Sequence, residues 1–225
     1  MASSRARRPE PAAAPVALSL FETPVIVDEV PDAGVLNAAL ATAIRARRAA
    51  SPGVRISNID GWQSDNAMLH WGGEAARALE RRILAAADRF TIDISARDGT
   101  PRHNWVASMW ANISPPGGSN QMHTHPGAYW SAVYYVDDGY AGSSDPALGG
   151  ELVLLDPRMP TVLMAMPNLR FRAPDGARHE PQLNMRPKSG RIIMFPGWLT
   201  HGVMPYRGRG ERISIAVNLI AMPRG

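Results

Sequence analysis

The sequence predicts a mainly β (α+β) fold: a jelly-roll barrel with two N-terminal helices packed on one sheet. Three observations predict it. Between residues 32 and 90, two runs carry apolar residues at helical spacing. After residue 100 the apolar residues fall into eight short segments separated by Pro and Gly turns. The length, 225 residues, suits one domain and is short for two.

Residues 1–16 are rich in Ala, Pro and Arg and show no periodicity, so a disordered tail is expected there and a single domain over 17–225. The tail has no apolar stretch of the kind a secretory signal carries, which favours the cytoplasm. Leu18–Val27 reads as a first strand, with Pro24 placing it at a sheet edge. Asp32 is expected to cap a helix whose apolar positions include Val35, Leu36, Leu40 and Ile44. A second helix is expected from about Glu74 to Phe90, with Ala75, Leu79, Ile83 and Leu84 on one face and Arg81 and Arg82 in solvent. The eight expected strands are Asn104–Ile113, Gln121–His125, Tyr129–Val136, Glu151–Leu155, Thr161–Met164, Leu169–Arg172, Arg191–Phe195 and Arg212–Ile220.

Composition narrows the function. Hydrophobic residues make up 45% and charged residues 20%, a globular balance. No apolar run is long enough to span a membrane. Cysteine is absent, so any metal must be held by histidine, carboxylate or backbone oxygen. The net charge is +4, and Lys188 is the only lysine. No basic stripe with interleaved aromatics is present, so neither a nucleic-acid nor a membrane partner is expected.

The chemistry concentrates in the histidines. His123 and His125 form an HTHP unit after PPGGSNQM, and in a strand residues i and i+2 share a face. Two imidazoles on one face can chelate one ion. His201 follows the strand RIIMF, and a jelly roll brings such distant strand ends to one mouth, supplying a third ligand. Gly117 lies six positions before the His-x-His unit, as in the first metal motif of cupin barrels, and Gly190, Pro196 and His201 follow the second. His70, His103 and His179 carry no comparable context.

Arg212 and Ser214 open the last strand, eleven and thirteen residues after His201, and period 2 puts them on one face. An inward arginine is costly unless a carboxylate neutralises it. A dicarboxylate with one end on the metal and the other on Arg212 satisfies both groups; Glu211, Asp156 or solvent is the alternative partner for Arg212. Asn120 could donate to the same ligand or stabilise the Gly-Gly turn. Trp62, Trp110, Trp130, Trp198, Tyr129 and Tyr134 are candidate wall residues.

These motifs resemble the 2-oxoglutarate/iron(II)-dependent oxygenases, whose pattern is His-x-Asp/Glu, a distant His, then Arg-x-Ser. Further similar features are GGEL at Gly149–Leu152 and GRIIMFPGWLTH at Gly190–His201. More narrowly, LFETPV, GWQS, HTHPGAYWSAVYYV, LDPR and RISIAVN resemble a bacterial group of such oxygenases, over most of Leu20–Ile220. The resemblance implies a double-stranded β-helix, Fe(II), 2-oxoglutarate and O2 as cofactors, and oxidative decarboxylation to succinate and CO2. Hydroxylation of an unactivated C–H bond on a small-molecule or peptide substrate is its default outcome. It further implies His123, His125 and His201 at the metal, and Arg212, Ser214 and Asn120 at the co-substrate. One departure stands out: His125 occupies the usual carboxylate position, leaving Glu151, Asp137 or water as alternative third ligands. Two other functions fit parts of the pattern: a cupin-type metal dioxygenase without 2-oxoglutarate, and a non-catalytic cupin-like binding protein.

Overall fold

The computed structural model describes residues 18–97, 99–158 and 166–224. The expected tail over residues 1–16 and the expected strand Thr161–Met164 lie outside them. The elements run β1 (Ile26–Glu29), α1 (Gly34–Ala50), β2 (Asn58–Ile59), β3 (Trp62–Gln63), α2 (Met68–Trp71), α3 (Gly73–Arg89), β4 (His103–Ser114), β5 (Ser119–His123) and β6 (Trp130–Asp137). They continue with β7 (Leu152–Leu155), β8 (Gln182–Met185), β9 (Arg191–Pro196), β10 (His201–Val203) and β11 (Arg212–Pro223).

Two antiparallel sheets face each other. The larger has the order β1-β9-β6-β11-β4-β3, and the smaller β2-β5-β10-β7-β8. Alternation divides the larger sheet into two faces. Ile213, Ile215, Val217 and Leu219 of β11 join Met109, Ala111 and Ile113 of β4 in a buried cluster with Leu40, Ile44, Leu79, Ile83 and Ala87 of the helices. On the opposite face, Tyr135, Ile193 and Phe195 meet Leu152, Leu154 and Leu199 between the sheets. The helices therefore cover the outside of one sheet, and the smaller apolar cluster fills only part of the space between the sheets.

Several local expectations change. The first strand shortens to Ile26–Glu29, because Pro24 lacks an N–H and Phe21 turns the chain at φ 59°. It still forms the sheet edge, pairing with β9 alone. Asp32 does not cap α1: it takes a left-handed φ of 48°, and Ala33 stands at the N-cap with no side-chain bond. Leu169–Arg172 is not a strand and contributes only one bridge, Arg172 to Arg178. Arg82 is not a solvated residue. Its guanidinium donates to both carboxylate oxygens of Asp28, at 2.6 and 2.7 Å, and to the Glu29 carbonyl. The Asp28 hydrogen bond holds Arg82 above the usual arginine range, and the pair straps the edge strand to α3.

Ile83, fully buried against the sheet, sets the test of this packing. Ile83→Ala should destabilise the protein by about 2–5 kcal/mol. Arg82→Ala, which removes a partly exposed pair, should cost at most about 1 kcal/mol. Urea unfolding of both variants measures the difference; equal losses would show that the strap, not the buried face, holds the helices.

Candidate metal centre

The site begins with a strand pairing. In the β5–β10 ladder His201 lies directly opposite His123. Paired residues project to the same face of a sheet. His201 also pairs with Leu154, whose side chain lies in the inter-sheet cluster, and its ring sits 4.7 Å from Phe195. Both imidazoles thus enter the space between the sheets.

His125 arrives by another route. It follows β5 rather than extending it, so strand alternation does not place it. Two backbone bonds do: His125 N–H donates to the Gly197 carbonyl at 2.9 Å, and Gly197 N–H donates to the Tyr129 carbonyl at 3.0 Å. Glycine is required there, since a Cβ on residue 197 would stand 2.4 Å from the Ala128 oxygen. The β9–β10 turn and the HTHPGA loop are clipped together, which fixes His125 beside the other two.

The three rings lie 4.4–5.0 Å apart, centre to centre, and offer ligand atoms all within 4.8 Å of one another. His123 Nδ1 contacts the Gln121 carbonyl at 2.7 Å, and His201 Nδ1 contacts the Leu199 carbonyl at 2.8 Å. A carbonyl accepts, so Nδ1 carries the proton and Nε2 is left with its lone pair. Burial pushes the His125 imidazole down to about 3, helped by His201 and His123. Burial likewise brings His201 down to about 4, against the raising effect of its bond to Leu199. These two rings are neutral near pH 7, the state a metal ligand needs.

The carboxylates considered as alternatives are engaged elsewhere. Glu151 faces Arg186 at 4.0 Å, and Asp137 accepts from the Gly139 N–H. Neither belongs to the histidine group.

Arg212 and Ser214 are both buried, on the inter-sheet face of β11. Arg212 Nη1 donates to the Gly150 carbonyl at 2.5 Å, just before β7, so it joins one sheet to the other. Its Nε is buried without a partner. The acids that might neutralise it are taken: Glu211 pairs with Arg48 and Asp156 with Arg158. No ion pair of Arg212 occurs among the described residues, and burial lowers its pKa below the ordinary arginine value.

Asn120 also turns inward, through an irregularity. The β5–β10 register slips by one between His201–His123 and Val203–Asn120, so Gln121 and Met122 together oppose Gly202. The bulge brings Asn120 to the face of His123, with its amide 3.3 Å from Ser57 Oγ.

Two neighbours went unread in the sequence. Tyr135 pairs in register with Ser214, is buried, and lies under the Arg212 guanidinium at 5.9 Å. Asn112 also pairs with Ser214, and its Oδ1 is buried without a partner. The register with Ser214 was the signal that identifies both. Of the candidate wall residues, Trp110 stands beside His125 at 5.7 Å. Trp130 and Tyr134 face the helices instead, bonded to Thr91 and Asn37, and Trp62 packs on that same side.

The fold recurs in solved structures. A Pseudomonas putida prolyl-4-hydroxylase is 21% identical, with TM-score 0.53, over 89% of this chain and 93% of that one. HygX from Streptomyces hygroscopicus, solved with nickel and 2-oxoglutarate bound, is 12% identical, with TM-score 0.58, over 88% and 82%. The non-heme α-ketoglutarate-dependent epimerase SnoN from nogalamycin biosynthesis is 16% identical, with TM-score 0.60, over 89% and 79%. No curated protein matches the chain in sequence. Residues 108–218, which include the three histidines, Tyr135, Arg212 and Ser214, match the family model described as "Putative 2OG-Fe(II) oxygenase". That segment matches the 2OG-Fe(II) oxygenases, a family of oxidoreductases that use Fe(II), 2-oxoglutarate and O2.

Proposed function

We propose that His123, His125 and His201 hold the Fe(II), and that Arg212 and Ser214 anchor the distal carboxylate of 2-oxoglutarate, with Asn120 and Tyr135 at its flanks. The substrate is a small molecule or peptide, and the reaction hydroxylates one of its unactivated C–H bonds. We take residues 17–225 as the single unit that performs it.

The observation that carries this reading is the condition of Arg212. A guanidinium removed from water, with Nε unbonded and no carboxylate paired to it, is costly. A carboxylate entering the inter-sheet space would supply the missing charge and accept from Nε. The histidine cluster opens into the same space, and its donor set suits a divalent iron. A binding protein or a cupin dioxygenase without co-substrate has no use for this cation.

The protein's contribution is placement. The tied Nδ1 atoms of His123 and His201 fix their rings so that Nε2 is the donor. Trp110 and Phe195 pack against the cluster and keep water from its flanks. When bound, the iron would activate O2, which is the oxidant: one oxygen atom would go into oxidising 2-oxoglutarate to succinate and CO2 and the other to the substrate. Three neutral ligands leave the metal one negative charge richer in need than a ligand set containing a carboxylate, which favours binding of the anionic co-substrate.

Replacing His123 or His201 by Ala should abolish iron binding, measured by metal content after desalting. Full occupancy in either variant would refute the assignment. His125→Asp should keep the metal, and His125→Ala with full iron would show that a different third ligand is used.

Anaerobic titration of the iron(II) protein with 2-oxoglutarate tests the co-substrate, through the weak metal-to-ligand charge-transfer band. Arg212→Ala should keep iron and fold yet weaken 2-oxoglutarate by about two to three orders of magnitude, equivalent to about 3–5 kcal/mol. Arg212→Lys should recover only part, because an ammonium cannot reproduce the two-pronged geometry. Ser214→Ala should cost about 1 kcal/mol. Unchanged affinity in Arg212→Ala, with lowered stability, would make Arg212 a structural residue and remove the main support for this reading.

A further inference from the structure

The β4–β11 pair runs on beyond the metal centre. On its helix-facing side Trp105, Ala107 and Leu219 pack against the helices, but the opposite face opens to solvent as it leaves the barrel. Register gives that face rung by rung: Trp110 opposite Ala216, Ser108 opposite Asn218, and Val106 opposite Ile220. Trp110 touches His125, so the first rung belongs to the metal centre. Each further rung lies about 6.7 Å along the strands, so the third is about 13 Å from the first.

The rungs differ in chemistry. The second is polar and neutral. Asn218 Oδ1 accepts from Ser131 Oγ at 2.8 Å, which leaves the Asn218 amide nitrogen with no partner among the described residues. The third is apolar and open, with Val106 50% and Ile220 37% exposed, and Met222 follows at 49%. None of these side chains is charged. The uncharged stretch ends at Asn104, whose Oδ1 accepts from Arg224 Nε at 2.8 Å.

A cavity of about 810 Å3 lies between residues 18–25 and 169–183. Its floor includes Leu154 and Leu199. None of His123, His125 and His201 is among the residues that line it. Its lining also carries Asp156, Arg158, Arg170 and Glu180 as ion pairs, so it does not present a charge-free surface.

We propose that the open β4–β11 face is the substrate wall, and that the substrate is an uncharged molecule with a carbonyl-type acceptor one rung from the reacting carbon and an apolar tail beyond it. The proposal rests on the oxygenase reading above for the position of the reacting carbon. The Asn218 amide donates to the acceptor, and the tail covers Val106 and Ile220. A charged tail would lose its hydration against these side chains with nothing to replace it.

The test uses the full chain and a series of straight-chain N-methyl amides, from butanamide to decanamide, displacing the neutral dye Nile red. Affinity should rise by about two- to fourfold per methylene, the worth of a partly to fully buried CH2. It should level off once the tail passes the third rung. Val106→Asp and Ile220→Asp, at half-exposed positions that tolerate a polar side chain, should weaken the longer amides at least tenfold and the shortest much less. Asn218→Ala should weaken every length by the same factor, about fivefold, since it removes one hydrogen bond to the head. Circular dichroism checks that each variant is folded. Binding of no amide, affinity independent of chain length, or loss in a variant of the cavity lining, Leu183→Asp, and not in the two wall variants would overturn the proposal. The charge-transfer titration of the unaltered protein reports separately on the oxygenase reading: a missing band would leave the amide series intact, and a failed amide series would leave the band intact.

Discussion

The two-residue period of β11 is the constraint on which the other parts of the molecule depend. Its odd-numbered residues, Ile213 to Leu219, form the floor of the helical layer. Its even-numbered residues face the other sheet and carry Arg212, Ser214 and Asn218. One strand thus stabilises the fold with one face and presents chemistry with the other. A shift of one residue would drive Arg212 into the helix layer and Ile213 into the polar space, so packing and function enforce the same register. The neighbours obey that register: Asn112 and Tyr135 face inward because they pair with Ser214.

The charge in that space is set by burial more than by pairing. Arg212 is disfavoured as a cation, while His125 and His201 are held neutral, all chiefly by loss of water. The Arg212 guanidinium therefore carries a desolvation cost that no ion pair among the described residues offsets. A ligand bearing negative charge relieves it, and by linkage whatever binds there also stabilises the fold. Two of the buried polar atoms without a partner, Arg212 Nε and Asn112 Oδ1, lie in this one chamber.

Much of this was legible in the sequence, and the failures have physical causes. The helices and long strands declared themselves because their apolar residues repeat at 3.6 or 2 over many positions, as in Leu79 and Ile83 or Ile213–Leu219. The His-x-His unit, the later His and Arg-x-Ser were visible because their residue types are costly to place inward without a use. Strands as short as Asn58–Ile59 and His201–Val203 have no period to read. Tyr134 and Tyr135 are adjacent and identical in type, so only pairing with Ile215 or Ser214 tells the helix-facing ring from the inward one. Arg82 looked like solvent-facing charge because its partner, Asp28, lies 54 residues away. His125 was expected on a strand and is positioned by Gly197 instead, a contact between backbones that no side-chain pattern records.

The bulge in β5 has a consequence for how this chain tolerates change. Gln121 and Met122 share one position of the ladder, and both are exposed. Their side chains are free to vary, yet their number is not. Removing either would restore strict alternation and send Asn120 outward if His123 stayed opposite His201. The segment is thus permissive to substitution and intolerant of insertion or deletion. Length, not identity, is what this part of the chain must inherit.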